Sequence, residues 1–194
     1  VLTHGFVVDG QGEKMAKSKQ NVIAPEEVIK RYGVEVLRLW VASEDYREDI
    51  TISDEILKRL SESYRKIRNT CRFLLGNLHD FTPAQAVESE HLAEIDRWAL
   101  HRLHQLAAKV TAAYAACEFH TIYHLLHNFC VTDLSAVYLD ILKDNLYCSL
   151  PAGASRKASQ TAFHIILTSL IKLMAPLLPF TADEMWGFLP ADVS

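Results

Sequence analysis

Three lysines, Lys14, Lys17 and Lys19, fall within six positions of the polar run KMAKSKQN. The run has no apolar period and follows Gly10 and Gly12, so it is expected to be a loop. A flexible arm bearing several ammonium groups suits a polyphosphate. At about 4 Å and an effective dielectric near 20, each ammonium–phosphate contact is worth up to about 4 kcal/mol. Desolvation offsets most of this in the ground state. Such a contact lowers a barrier only where it tightens as charge moves onto a leaving group. Three lysines alone also fit a solvated surface loop.

A second set of cations lies on a predicted helix. Lys58, Arg65, Asn69 and Arg72 are spaced by seven, four and three residues, which places them on one face, with Lys66 and Arg68 beside them. Such a stripe can follow a nucleic-acid backbone, although every amphipathic helix needs a polar face. His120, His124 and His127 also share a helical face. Thr121 stands where a zinc-protease helix carries Glu, so no metal site is expected.

The elements that must hold these residues are read from periodicity. Leu2 to Asp9 is rich in Val, Phe and Thr and predicts a strand ending in the turn Asp9-Gly10-Gln11-Gly12. Pro25 suits the first position of a helix with Glu26 and Glu27 near its positive end, and Gly33 suits a left-handed cap. A second short helix is expected over Val34 to Ala42, and a short strand or link over Asp49 to Ile52. From Ser53, a predicted cap, apolar residues recur every three or four positions. Long helices are expected to start at Ser53, over 91–116, over 118–143 with a break near Asp133 to Ser135, and over 156–175. Thr181 with Glu184 predicts a capping box for a short last helix. Four long amphipathic helices with short links imply an antiparallel bundle.

Composition agrees. The 194 residues carry 49% hydrophobic and 23% charged side chains and a net charge of −4, with 7 Gly and 6 Pro. That is a mainly helical globular chain, able to bury about 70% of its unfolded surface without metal or disulfide. The net charge does not advertise a nucleic-acid binder but leaves room for a local basic stripe. Cys71, Cys117, Cys130 and Cys148 are dispersed, as free thiols of a reducing cytoplasm would be. The most apolar stretch, Phe163 to Phe180, is interrupted by His164, Lys172, Pro176 and Pro179, so no membrane span is expected. The opening VLTHGFVVDG reads as a strand from within a longer protein.

The succession HGFVVD, DGQG, KMAKS and NVIAPEEVIKRYGVEVLRLW resembles the KMSKS region of class I aminoacyl-tRNA synthetases. WVASEDYREDITISDEILKRLSESYRKIRNTCRFLLGNL is similar specifically to the isoleucyl enzymes. EIDRWAL, FHTIYHLLHNFC, YLDILKDNLY and MAPLLPFTADEMW continue the likeness through essentially the whole chain. The resemblance implies that residues 1–21 end a Rossmann-like catalytic domain, 22–53 form a stem-contact connecting module, and 54–194 form a helical anticodon-binding domain. It implies an ATP-dependent ligase, using magnesium, whose whole enzyme makes isoleucyl-adenylate and passes isoleucine to tRNA. Lys14 and Lys17 match the two catalytic lysines of the motif, and Ser18 joins them at the ATP phosphates. Lys58, Arg65, Lys66, Arg68, Asn69 and Arg72 become the candidate tRNA surface.

Two departures stand out. Ala16 replaces the usual Ser of the motif, and Gln20 replaces the usual Gly, which removes backbone freedom at a loop expected to move. No His-x-Gly-His signature, editing domain or zinc-type cysteine cluster is present. The amino-acid pocket and the family's zinc site are therefore expected outside this chain, and the piece alone is expected to be inactive, monomeric and free of bound cofactor. A valyl enzyme is the nearest confusion, and a helical protein-interaction module without an RNA role is the rival class.

Overall fold

The computed structural model describes residues 3–148, 150 and 153–190, without the side chains of residues 144, 145, 147 and 148. A strand exists only where it finds a partner, and the apolar run near the start finds one for two residues. β1 (Val7–Val8) pairs in parallel with β2 (Ile50–Thr51), Val7 opposite Ile50 and Val8 opposite Thr51. The expected strand from Leu2 is thus shorter, and Leu2 itself lies outside the described residues. Gly5 is required here, because a Cβ at that position would meet the Glu48 carbonyl oxygen at 2.0 Å.

Between the strands lie α1 (Pro25–Tyr32) and α2 (Val34–Ser43). Pro25, Glu26 and Glu27 open α1, and Lys30 and Arg31 occupy its last turn, complementing the helix dipole at both ends. Gly33 joins the two helices at φ 89° and ψ 158°. The backbone is therefore at positive φ but extended in ψ, not in the left-handed helical cap expected.

Ser53 Oγ accepts the Ile56 amide at 3.3 Å and starts α3 (Asp54–Gly76) as expected. Leu57, Leu60, Ile67, Thr70, Cys71 and Leu74 turn inward. α4 (Glu94–Ala115) and α5 (Phe119–Asn128) follow. The break expected near Asp133 is absent: a π-helical stretch, Phe129–Tyr138, carries the chain without interruption into α6 (Leu139–Cys148). Ser135 Oγ donates to the Cys130 carbonyl at 2.8 Å, and it shares a 2.9 Å bond with Thr70 Oγ1, so its hydroxyl faces α3.

α7 (Ala154–Met174) runs through the centre, with Phe163, Ile166, Leu167, Leu170 and Met174 buried, against α4, α3 and α8 (Pro179–Trp186). Thr181 does not cap α8. It lies inside the helix, where its hydroxyl meets Tyr64 Oη at 2.8 Å and its amide donates to Glu35 Oε1 at 2.7 Å. The cap of α8 is thus supplied from α2. Arg38 of α2 also donates to the carbonyls of Leu177 and Pro176, at 3.0 and 2.9 Å. These bonds fasten the first fifty residues to the bundle.

Two polar clusters tie the bundle together, one half-open to solvent and one buried. Arg156 pairs with Asp80 at 3.1 Å, and Gln160 donates to the same carboxylate at 2.6 Å. Burial pushes Asp80 up, but Arg156 and Gln160 outweigh it and leave it below the ordinary carboxylate range. Asp96 and Tyr138, both fully buried, meet at 2.6 Å. Burial holds Asp96 above its ordinary value despite that bond.

The sequence holds no uninterrupted apolar run of about 18 residues. Averaged over length, however, Phe119–Lys143 is long and apolar enough to cross one, by composition alone. Its apolar residues are used inside the bundle: Ile122, Leu126, Phe129, Leu134 and Tyr138 are buried, packed on α2, α3 and α4.

Candidate functional site

The lysine loop is closed by one side chain. Asn21 Oδ1 accepts the Ala16 amide at 2.9 Å, while Asn21 Nδ2 donates to Asp9 Oδ2 at 2.7 Å and to the Lys14 carbonyl at 3.3 Å. Asp9 Oδ1 accepts the amides of Gln11 and Glu13, each at 2.9 Å. The Asn21 amide, then the Glu13 amide, holds the Asp9 carboxyl below its usual range. Met15 turns inward and its Sδ accepts the Ile23 amide at 3.4 Å. The expected irregular loop thus contains a tight turn, a short 3₁₀ segment at Lys17–Lys19.

The three ammonium groups have different fates. Lys14 Nζ stands 3.7 Å from the centre of the Phe6 ring. Lys19 Nζ pairs with Glu13 Oε2 at 2.7 Å. Lys17, exposed at the tip, has neither an ion pair nor a side-chain hydrogen bond among the described residues, and Ser18 beside it is exposed as well. Gln20 closes the turn at φ 54° and ψ 26°, donating its amide to the Lys17 carbonyl at 3.2 Å. A left-handed backbone costs a residue with a Cβ about 1–2 kcal/mol, so Gln20 occupies the position where a glycine would be free of strain.

The basic face of α3 is likewise divided. Asp54 gathers Lys58 at 2.8 Å, Arg31 at 2.5 Å and the Tyr32 hydroxyl at 2.5 Å, with Lys58 the leading cause of its lowered pKa. Arg65 pairs with Glu62. Arg68 bonds Glu184 at 2.8 Å and Tyr64 Oη at 3.3 Å. Among the described residues, Lys66, Asn69 and Arg72 keep exposed side chains without a side-chain hydrogen bond or ion pair. Lys66 and Asn69 border an open groove of about 610 Å³ against the π-helical stretch, with Thr70, Phe73, Ser135 and Lys143. Arg68 and Arg72 border another of about 530 Å³ against α8, with His79, Glu184 and the exposed ring of Phe188. The stripe seen in the sequence is therefore not one continuous cationic track.

The three histidines do not converge on a metal. Among the described residues, no group of three His, Cys, Asp or Glu side chains could hold one. His127 is partly buried beside the Tyr123 ring, and burial lowers its pKa. Cys71 and Cys130 are buried free thiols, Cys71 pushed up to about 12 by burial, and Cys117 is exposed. Cys148 lies outside the described side chains. The role of Asn21 was not read from the sequence; an Asn and an Asp bracketing a short loop, both able to bond backbone amides, were the available signal.

Comparison with known proteins decides the family. The model of the anticodon-binding domain of tRNA ligase matches residues 96–192, half the chain, and that of the class I tRNA synthetases (I, L, M and V) matches residues 1–53. The chain belongs to the class I tRNA ligase family. Isoleucine–tRNA ligases are its near relatives: that of Geobacter sulfurreducens is 58% identical over 98% of this chain, and that of Symbiobacterium thermophilum 56% over 98%. The chain spans about a fifth of the length of these curated relatives, 21% and 20%.

Solved ligase structures share the fold. Methionyl-tRNA synthetase of Mycobacterium tuberculosis, in complex with methionyl-adenylate, superposes with a TM-score of 0.76 at 20% identity, over 94% of this chain and 36% of that one. The LeuRS of an Agrobacterium radiobacter complex with tRNA and LeuAMS gives 0.74 at 20% identity, over 97% and 22%. The mainly helical architecture with a strand–loop segment before it is therefore a class I ligase arrangement.

Proposed function

We propose that this chain is the signature-loop and anticodon-binding section of an isoleucine–tRNA ligase. Residues 1–21 end the catalytic domain, 22–53 form the connecting module and 54–194 form the tRNA-binding bundle. The observation that carries the reading is a 53–58% identity to isoleucine–tRNA ligases that runs through the loop and the bundle alike. The buried thiols of Cys71 and Cys130 suit a reducing cytoplasm.

In the whole enzyme, the isoleucine carboxylate attacks the α-phosphate of ATP and pyrophosphate leaves. The protein's part is positioning and charge stabilisation, not covalent catalysis. Lys17 fits that task best: it is exposed at the tip of a turn and, among the described residues, has no anion to release. Placed about 4 Å from a departing phosphate oxygen, it is worth up to about 4 kcal/mol before desolvation. Lys14, already resting on Phe6, and Ser18 flank it. ATP arrives with magnesium, whose charge would further neutralise the phosphates; what this loop would add is the ammonium groups of Lys17 and Lys14 and the hydroxyl of Ser18.

Lys66, Asn69 and Arg72 are the tRNA contacts best supported by the geometry: their exposed side chains border open grooves whose carboxylates, Asp140 and Glu184, are already held by Lys143 and Arg68. Lys58, Arg65 and Arg68 must exchange an intramolecular partner for a phosphate.

Titrating the chain with isoleucine tRNA and an unrelated tRNA, at low and moderate salt, tests the bundle's role. Preferential, salt-weakened binding is expected. Binding that ignores salt would refute a phosphate-contacting surface.

A further inference from the structure

Resting on the proposed role of Lys17, we infer that Asn21 and Asp9 are positioning residues for adenylate formation, a latch that sets where the Lys17 ammonium stands. The connections run without a gap. β1 is fixed by pairing with β2, and Asp9 follows β1 directly. Asp9 holds the Asn21 amide at 2.7 Å, and Asn21 holds the Ala16 amide, one residue before Lys17, at 2.9 Å. On the other side, the Lys19 amide reaches the Ala16 carbonyl at 3.0 Å and the Gln20 amide reaches the Lys17 carbonyl at 3.2 Å. Every backbone bond around Lys17 therefore leads back to residue 16 or to the segment ending at Asn21.

The other two ammonium groups of the loop are held by separate contacts, Lys14 by Phe6 and Lys19 by Glu13. Lys17 alone depends on the turn for its location. An Asp9–Asn21 bond joins a carboxylate to an amide donor, so it is polar in one direction: the acceptor belongs to position 9 and the donor to position 21. Reversing both residues preserves that bond, because an amide at position 9 still offers one oxygen to the Gln11 and Glu13 amides and a carboxylate at position 21 still accepts from Ala16; what is lost is the longer 3.3 Å bond from position 21 to the Lys14 carbonyl.

The test is isoleucine-dependent ATP–pyrophosphate exchange in the intact ligase. Asn21→Ala is expected to lower kcat on the order of 10- to 100-fold, as a displaced catalytic group does, and to leave KM for isoleucine unchanged. In the Lys17→Ala background the same change is expected to cost nothing further, since a residue that acts through another has no effect once that one is gone. Asp9→Asn and Asn21→Asp are each expected to impair kcat, and the two together to restore most of it.

Multiplicative losses in the Asn21→Ala/Lys17→Ala double variant would overturn the latch. So would a reversed pair no better than either single change, which also separates positioning from a mere loss of folding. Wild-type exchange by Lys17→Ala would instead remove the underlying reading of the loop, and the latch with it.

Discussion

Removing the Tyr138 hydroxyl offers the sharpest test of the bundle's buried chemistry. Tyr138 donates to Asp96 Oδ1 at 2.6 Å; both residues are fully buried, and among the described residues no donor meets Asp96 Oδ2 in hydrogen-bond geometry, although Ser159 stands near the carboxylate. Tyr138→Phe leaves the ring's packing against Phe163 in place and withdraws one bond from a buried carboxylate. A bond to a charged group is worth about 1.5–3 kcal/mol. At about 2–4 °C per kcal/mol for a chain of this size, a 2 kcal/mol loss lowers Tm by about 4–8 °C near pH 7. The sign with pH follows from burial, which raises Asp96 above 3.8 in the folded state. A raised carboxyl favours folding below 3.8 and loses that contribution as pH rises through the folded value. The Tyr138 bond works against this rise, so its removal lifts Asp96 further and costs most where the group is ionised. Thermal unfolding followed by circular dichroism, stepped from neutral pH into acid, should therefore give a deficit that shrinks as Asp96 takes up its proton. A deficit under about 1 °C throughout, or one that grows in acid, would refute the reasoning.

Further predictions concern the loop, the RNA face and the joint. Gln20→Gly relieves the left-handed strain at the end of the turn, partly offset by the entropy of glycine; tryptic cleavage after Lys17 should slow by about threefold. In tRNA titrations, Arg72→Ala should reduce the salt slope by about 0.7–0.9, whereas Lys58→Ala, whose ammonium Asp54 already holds, should leave it within error. Equal changes from both would show that the intramolecular pairs do not matter. Glu35→Ala strips the α8 amide of Thr181 of its acceptor inside a closed joint, so chemical denaturation should register a loss of about 1–3 kcal/mol.

The long helices were legible because their apolar period is local, and so were the Ser53 cap and the Pro25 start. Three features were not. The strand before Asp9 was overestimated because strand length is set by the partner, and β2 supplies only two residues. The break expected at Asp133 to Ser135 rested on polar residues that turn out to be satisfied across the bundle: Asp133 by Arg102 at 3.1 Å, and Ser135 by Thr70 and by Cys130. Thr181 looked like a cap because the Glu35 carboxylate that relieves it of that task lies 146 residues away. At the candidate site, the lysines were visible as a cluster but not as three different environments. The pairing of Lys58 with Asp54 and of Arg65 with Glu62 follows helical spacing and could have been read in advance. The latch at Asn21 could not, since it depends on the turn that brings residues 9, 16 and 21 together.

The π-helical stretch fixes more than local bonding. An α-helix turns by about 100° per residue, so chain length between two helices sets their relative rotation. A π turn holds more residues than an α turn, so the stretch carries slack. Losing one residue from Phe129–Tyr138 while part of it rewinds as α-helix would leave Leu142 and Leu146 facing the core, where they are buried now. Losing one from the regular helix that follows has no such slack and would swing everything beyond it by about that angle. A relative one residue shorter in this stretch can therefore keep the same face of α6 toward the groove beside Lys66.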